Sequence, residues 1–511
     1  MTTPKMDVDY TIFRHRLTTV LLPAGLAPRQ LRRLLLVTAL MALLAGCAAW
    51  QPVPRESGGE TAACLQFYAD FDRAVDRAGV ADAQAARIAG FPHLRVNRLL
   101  ASFRDELTAA QRPDWLARLR ALAATAEVVE LANLPPRPAT WQALGVADRH
   151  TAAARLADCG DHLLATDRAA EQNLVLLRDR TRVADAYQDY QRVLGLYPLT
   201  ALAVSVGVGN LHAETRARFA RPDHSTSGEL IDYVPVTPRP AAIAELPRDA
   251  LGIPQPTAMQ RERLFARHAP VWRIDTATPA DRIGRPVWRD GRIEIVTTQP
   301  IVYEKLSYTR WRGDVLLQLN YVIWLPARPK TGPLDLLGGH LDGVTWRVTL
   351  APDGQVLMYD AMHNCGCYHM AFPGPRLEPR ERGGPWQEPL ITPAAAPQPG
   401  DDQRVRIRLA TGSHYLQQIT AVAADVSGVG YVTADYYELR SLATAVSERR
   451  RSLFDERGLV PGSERLERWL LWPMGVPEPG AMRQWGTHAT AFVGKRHFDE
   501  PFLIQRYFSP E

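Results

Sequence analysis

Lysine is nearly missing from this chain. Four residues, Lys5, Lys305, Lys330 and Lys495, stand against 56 arginines in 511 positions, a bias that a GC-rich gene explains more simply than any function. Net charge is also scarce. The formal value is +5, but six basic and two acidic residues within 1–46 account for +4, leaving +1 elsewhere. A nearly neutral remainder gives no sign of a nucleic-acid surface. After the first 46 residues no stretch holds 18 consecutive apolar side chains, so the sequence offers no later membrane-spanning helix. No repeat of fixed period is visible. Apolar residues at 46% and charged residues at 23% rule out wholesale disorder, collagen and coiled coil.

What is present begins with an address. Arg32-Arg33 precede an apolar run, Leu34 to Ala45, and the segment closes Leu44-Ala45-Gly46-Cys47. A basic region, a short apolar region and small residues before a cut describe a signal peptide, too short to span a bilayer as a mature helix. The cysteine directly after them resembles the lipobox of bacterial lipoproteins. The resemblance implies that 1–46 is removed, that Cys47 carries lipid, including palmitate, and that the protein hangs from a membrane. Ala48 and Ala49 follow, with no Asp in second place, which in that class favours the outer membrane of the cell envelope, facing the periplasm or beyond. Residues 47–60, with two prolines and two glycines, read as a tether. The best later apolar stretch, Leu194 to Val208, is broken by Pro198 and by glycine and serine; it is expected to pack in the protein, with a shallow interfacial role as the alternative.

The remaining chain, about 465 residues, is enough for two or three domains, and its two halves are unlike. From 61 to 220, apolar residues recur at three- and four-residue spacing (Cys64, Phe67, Phe71, Val75), with further helical segments near 96–108, 114–133, 148–165, 168–196 and 199–219. This predicts a helical bundle. Prolines crowd 221–262 and suggest a linker. Beyond it, Val315, Leu317, Leu319, Tyr321 and Ile323 alternate with their neighbours, as do Val405, Ile407 and Leu409. Val344–Leu350 and Gln355–Asp360 flank Ala-Pro-Asp-Gly354, a hairpin whose Pro352 and Gly354 suit the turn. The expected fold is α+β: an N-terminal helical bundle, then a mainly antiparallel α+β domain over 263–511.

Candidate chemistry follows the cysteines. In an oxidising compartment Cys64 and Cys159, both at apolar positions of the helical half, are expected to pair. The densest group is Met362-His363-Asn364-Cys365-Gly366-Cys367-Tyr368-His369-Met370. In a strand His363, Cys365, Cys367 and His369 share one face, and imidazole and thiolate are the ligands zinc or copper prefer. A straight strand spreads six residues over about 20 Å, so joint chemistry requires a bend at Gly366. His340, His414, His488 and His497 are the candidate further ligands, His340 first. Three readings remain open for this segment: a metal site, a Cys365–Cys367 disulfide or inert pair, and a cysteine nucleophile built from Cys367, His340 and Asp360. Asp342 and Asp360 are placed to orient an imidazole.

For the nucleophile, Gly366-Cys367-Tyr368-His369 with His340 upstream is similar to the Gly-Cys-hydrophobe-Arg segment of L,D-transpeptidases, although His369 stands where that family has arginine and no His-Gly pair occurs. The resemblance spans under a tenth of the chain. Nine of the twelve tryptophans lie in the second half, most expected in the core and some as a stacking platform for glycan. Eight prolines between 373 and 400 make a long loop, a lid or a solvated spacer. Taken together, the sequence points to a lipid-anchored envelope protein that binds metal through its HxCxCxH segment. The alternatives are a cysteine-dependent hydrolase or transferase, and a non-enzymatic assembly or glycan-binding lipoprotein.

Overall fold

The computed structural model describes residues 58–221, 226–243, 245–380, 386–444 and 449–511. The signal segment, Cys47 and nearly all of the tether lie outside the described residues. Residues 57–511 pack as one compact unit, with helices first and a large curled sheet after them.

Helix α1 (Gly59–Ala78) buries Cys64, Phe67, Tyr68, Phe71 and Val75, the stripe its spacing predicts, and ends at Gly79 in the left-handed region, where glycine costs least. It packs beside α2 (Arg112–Asn133) and α3 (Arg149–Ala169), which begins at an Asp148 cap accepting from the Thr151 amide. Cys64 and Cys159 are bonded, with Cα atoms 5.1 Å apart across 95 residues. By loop entropy that bridge contributes about 4 kcal/mol. The expected helical segment near 96–108, within a half read as helical throughout, is not what forms. Instead of a long helix there is a hairpin, Ala86–Ile88 with Phe91–Val96, and then only one helical turn, Arg98–Ala101. Phe91, Leu94 and Val96 point into the helical core.

Ten strands form the large sheet: β1 (Glu229–Pro235), β2 (Val271–Thr276), β3 (Ile301–Trp311), β4 (Asp314–Arg328), β5 (Gly339–Leu350), β6 (Val356–His363), β7 (Met370–Pro373), β8 (Gln403–Leu409), β9 (Leu416–Ala423) and β10 (Val429–Asp435). Their order is β7-β6-β5-β4-β3-β10-β1-β2-β8-β9. Six of the nine pairings are antiparallel; β10 with β3, β10 with β1, and β2 with β8 are parallel. The stretch 221–262 therefore includes an internal strand of the sheet. Pro222 precedes β1, and the other prolines fall at its end or after it, positions that leave the strand uninterrupted. Thr257 then opens α4 (Ala258–His268) through a capping box with Gln260.

Alternation along β4 sets the layers. Leu317, Leu319, Tyr321, Ile323 and Leu325 enter one cluster with Leu264 and Phe265 of α4. Val322 and Trp324 enter another with Tyr436, Leu453 and Trp485. On that second face Gln318 bonds Ser307 and Thr349, and Asn320 donates to Ser307 and the Lys305 carbonyl while its Oδ1 has no partner. Trp272, Trp324 and Trp346 are fully buried core residues, whereas Trp386 and Trp469 are exposed. Buried charge ties the first half to the second: Arg440, in the turn after β10, holds Asp82 through two bonds, and Asn133 of α2 donates to the Arg440 carbonyl.

Candidate functional site

The cysteine segment is a turn, not a strand. β6 stops at His363; the Gly366 amide donates to the His363 carbonyl at 2.7 Å and the His363 amide to the Cys367 carbonyl at 3.0 Å. Gly366 has φ +92° and Tyr368 φ +58°, so the bend that spacing demanded is present at Gly366. A Cβ there would lie 2.4 Å from the Ala489 carbonyl oxygen. Asn364 pins the turn from inside, donating to the Ile323 carbonyl and accepting from Thr345, while Arg483 donates to the Cys365 carbonyl.

This turn sends the two histidines to different carboxylates. His363 lies 3.4 Å from Asp342, which is also 2.7 Å from His414; His414 reaches Asp281 at 3.2 Å with its other nitrogen. Burial pushes the Asp342 carboxyl up, but His363 and His414 outweigh it and hold it well below the usual range. Burial lowers the His414 imidazole, and its two carboxylate partners more than restore it, so its pKa is raised. His369 instead meets Asp360 at 3.1 Å, and Asp360 is clasped by Arg347. Burial brings His369 down to about 4 against the pull of Asp360, and its Nδ1 has no partner.

These placements decide how the proposed site residues relate. Among the described residues no group of three or more His, Cys, Asp or Glu is arranged to hold a metal ion. Each of the two imidazoles meets a carboxylate with one nitrogen, His363 with Asp342 and His369 with Asp360, and keeps the other without a partner. His340 sits on the exposed start of β5, four residues before Val344, the register partner of His363, and donates to the Ile293 carbonyl at 2.7 Å. Cys367, His340 and Asp360 are not brought together. Hydrogen bonding to Cys365, then burial, raises the Cys367 thiol well above its ordinary value, the opposite of an activated thiolate. His488 donates to the Asn364 carbonyl, and His497 pairs with Asp185.

What the turn does form is one wall of a cavity of about 490 Å³. The opposite wall is α5 (Tyr197–Phe219), through Ala203, Val204, Gly207, Val208 and Leu211. Ile391, Leu470, Val476 and the Ala489–Phe492 segment complete it, so the lining is chiefly apolar. A few polar groups converge there. Burial lifts Glu467 to about 7 and lowers His212 to about 4. Glu388 lies 3.2 Å from Arg496. The lining comes from five separated stretches of chain, and only the cysteine segment was marked by motif. The apolar character of 194–208 was visible in the sequence; its facing partners were not.

No protein-family model, no curated protein and no solved structure matches this chain.

Proposed function

We propose that this is a lipid-anchored protein of the bacterial cell envelope whose cavity binds an apolar, chain-like ligand with a small polar head, an acyl chain being the class that fits. The observation that carries the reading is the cavity itself. Its volume lies within the range of small-molecule sites, and such sites are mostly apolar with a few placed polar groups. His369 with its unpartnered Nδ1 and Glu467, near half-protonated at neutral pH, would meet the head group. The basic, apolar and small-residue segment ending in Cys47 supports the anchor, an envelope location and the outer membrane as the attachment. Replacing Cys47 with Ser should abolish labelling by palmitate; retained labelling removes the anchor from the account.

Chain length provides the test of the cavity. Each methylene buried contributes about 0.8 kcal/mol, roughly fourfold in affinity. Saturated fatty acids of increasing length should therefore bind progressively tighter until the cavity is full, then level off. Val208→Trp, which fills the α5 wall, should weaken the long chains most. Affinity indifferent to length, or equal in Val208→Trp, would overturn the proposal.

Contact between the two thiols supports a second reading, in which Cys365 and Cys367 close a reducible disulfide in the oxidising envelope. Peptide mapping of envelope-purified protein, alkylated before reduction, separates the two: both cysteines alkylated means free thiols.

A further inference from the structure

Helix α5 breaks the usual rule for surface helices. Between Tyr190 and His212 the only charged residue is Arg192, so α5 carries no charge on any side before Glu214; a helix lacking a charged face is normally buried. Here only Ala201, His212 and Thr215 are buried. The inner face lines the cavity; the outer face, Leu199, Leu202 and Val206, is 47–68% exposed. Nearby, the turn at 472–475 packs under the start of α5: Arg192 donates to the Met474 carbonyl, and the Gln188 amide to that of Gly475. That turn carries Trp469 and Leu470 just before it, 69% and 63% exposed. Scattered exposed apolar residues need no explanation, but a continuous group of this size marks a contact surface.

We infer that this face, Leu199, Leu202, Val206 and Trp469, rests in the interfacial layer of a phospholipid bilayer, with the cavity mouth opening onto it. Two observations favour lipid over a protein partner. The patch is continuous with the cavity, because Ala203, Gly207 and Leu470 are at once exposed and part of its wall. Its rim has the amphipathic aromatics typical of a membrane interface: Trp469 with the Arg468 guanidinium over its ring, and Tyr197 beneath that of Arg192. Among the described residues no helix is long and apolar enough to cross a membrane, and the inference places α5 at the bilayer surface. The inference deepens the acyl-chain reading and rests on it: the ligand enters from the leaflet, along apolar surface, without crossing water.

The test uses residues 57–511, the compact unit that holds every cluster of the core described above, so that the anchor does not mask the surface. Flotation with vesicles of phosphatidylethanolamine and phosphatidylglycerol should carry the protein upward. Leu199→Ser/Leu202→Ser/Val206→Ser/Trp469→Ser should weaken that binding by about tenfold or more, given the apolar area withdrawn from the interface. Val128→Ser, an exposed apolar site on α2, should change nothing. The fourfold variant leaves the cavity wall intact and should still bind a soluble short-chain fatty acid as the wild type does. That result with lost flotation supports the docking surface. Fatty-acid binding absent in both forms, with flotation still lost in the variant, overturns the cavity reading alone. Wild-type protein that stays at the bottom of the gradient, or a variant that floats as well, overturns the docking surface. So does a wild-type dimer in sedimentation that the variant dissolves while neither floats.

Discussion

Gly366→Ala puts the geometry of the cysteine turn under direct load. The glycine has φ +92°, and the added Cβ would lie 2.4 Å from a backbone oxygen, that of Ala489, which has no rotamer to swing aside. The left-handed conformation costs an L-residue about 1–2 kcal/mol, and forcing an atom into a packed site typically adds about 1–3 kcal/mol. Together the loss is about 2–5 kcal/mol, a large part of the ~5–15 kcal/mol that keeps a protein folded. The effect should be local as well as global. With Gly366 displaced, the contact between the segment and Ala489 opens, and Cys367, half-buried in the native fold, should react faster with a small alkylating agent. Urea denaturation followed by tryptophan fluorescence measures the first effect, and native-state alkylation the second. Gly209→Ala is the control of opposite sign. It sits in α5 with nothing within 4 Å of its would-be Cβ, so the change should stabilise by about 0.5–1 kcal/mol. A Gly366→Ala protein within about 1 kcal/mol of wild type, with unchanged labelling, would refute the turn as described.

The remaining predictions address the other supports. Cys64→Ala/Cys159→Ala should cost about 2–5 kcal/mol and leave the peptides unlinked in non-reducing mass mapping; finding them unlinked in the wild type contradicts the bridge. Asp360→Ala leaves the buried Arg347 guanidinium without its carboxylate and should destabilise by about 3–5 kcal/mol, whereas a loss under 1 kcal/mol would mean water reaches the arginine. Acid sensitivity should come early. Burial holds His369 near 4 and His488 near 3, below the unfolded value of about 6.5. Each therefore stabilises the fold fully above that unfolded value and loses about 1.4 kcal/mol per pH unit as pH falls below it, down to its folded pKa. Denaturation midpoints flat between pH 6.5 and 4.5 would contradict the neutral, buried state of both.

Much of the sheet was legible because its periodicity is local. Alternation in β4 and β8 and the Pro352–Gly354 turn each follow from neighbouring residues, and Gly354 does take a positive φ. The need for a bend at Gly366 came from reach alone. β1 was hidden by flanking prolines, which forbid helix yet leave a strand between them untouched. The Phe91–Val96 strand was hidden by its spacing, since Phe91, Leu94 and Leu99 also suit a helix. At the site, four metal-type ligands in nine residues were read as one cluster. The two histidines are divided between Asp342 and Asp360, whose positions depend on strand register, and register is not written within the segment. The cavity was least legible of all, for its walls are joined only by tertiary packing.

The central claim is that an apolar chain lies between α5 and the cysteine turn. A fatty acid with a diazirine at its far end tests it in one step, by irradiation with residues 57–511 and mapping of the modified peptides. The account predicts adducts on Val204, Val208, Met370 or Ile391, competed by unlabelled acid and lost in Val208→Trp. Adducts confined to exposed residues outside the cavity, or none that unlabelled acid displaces, would contradict it.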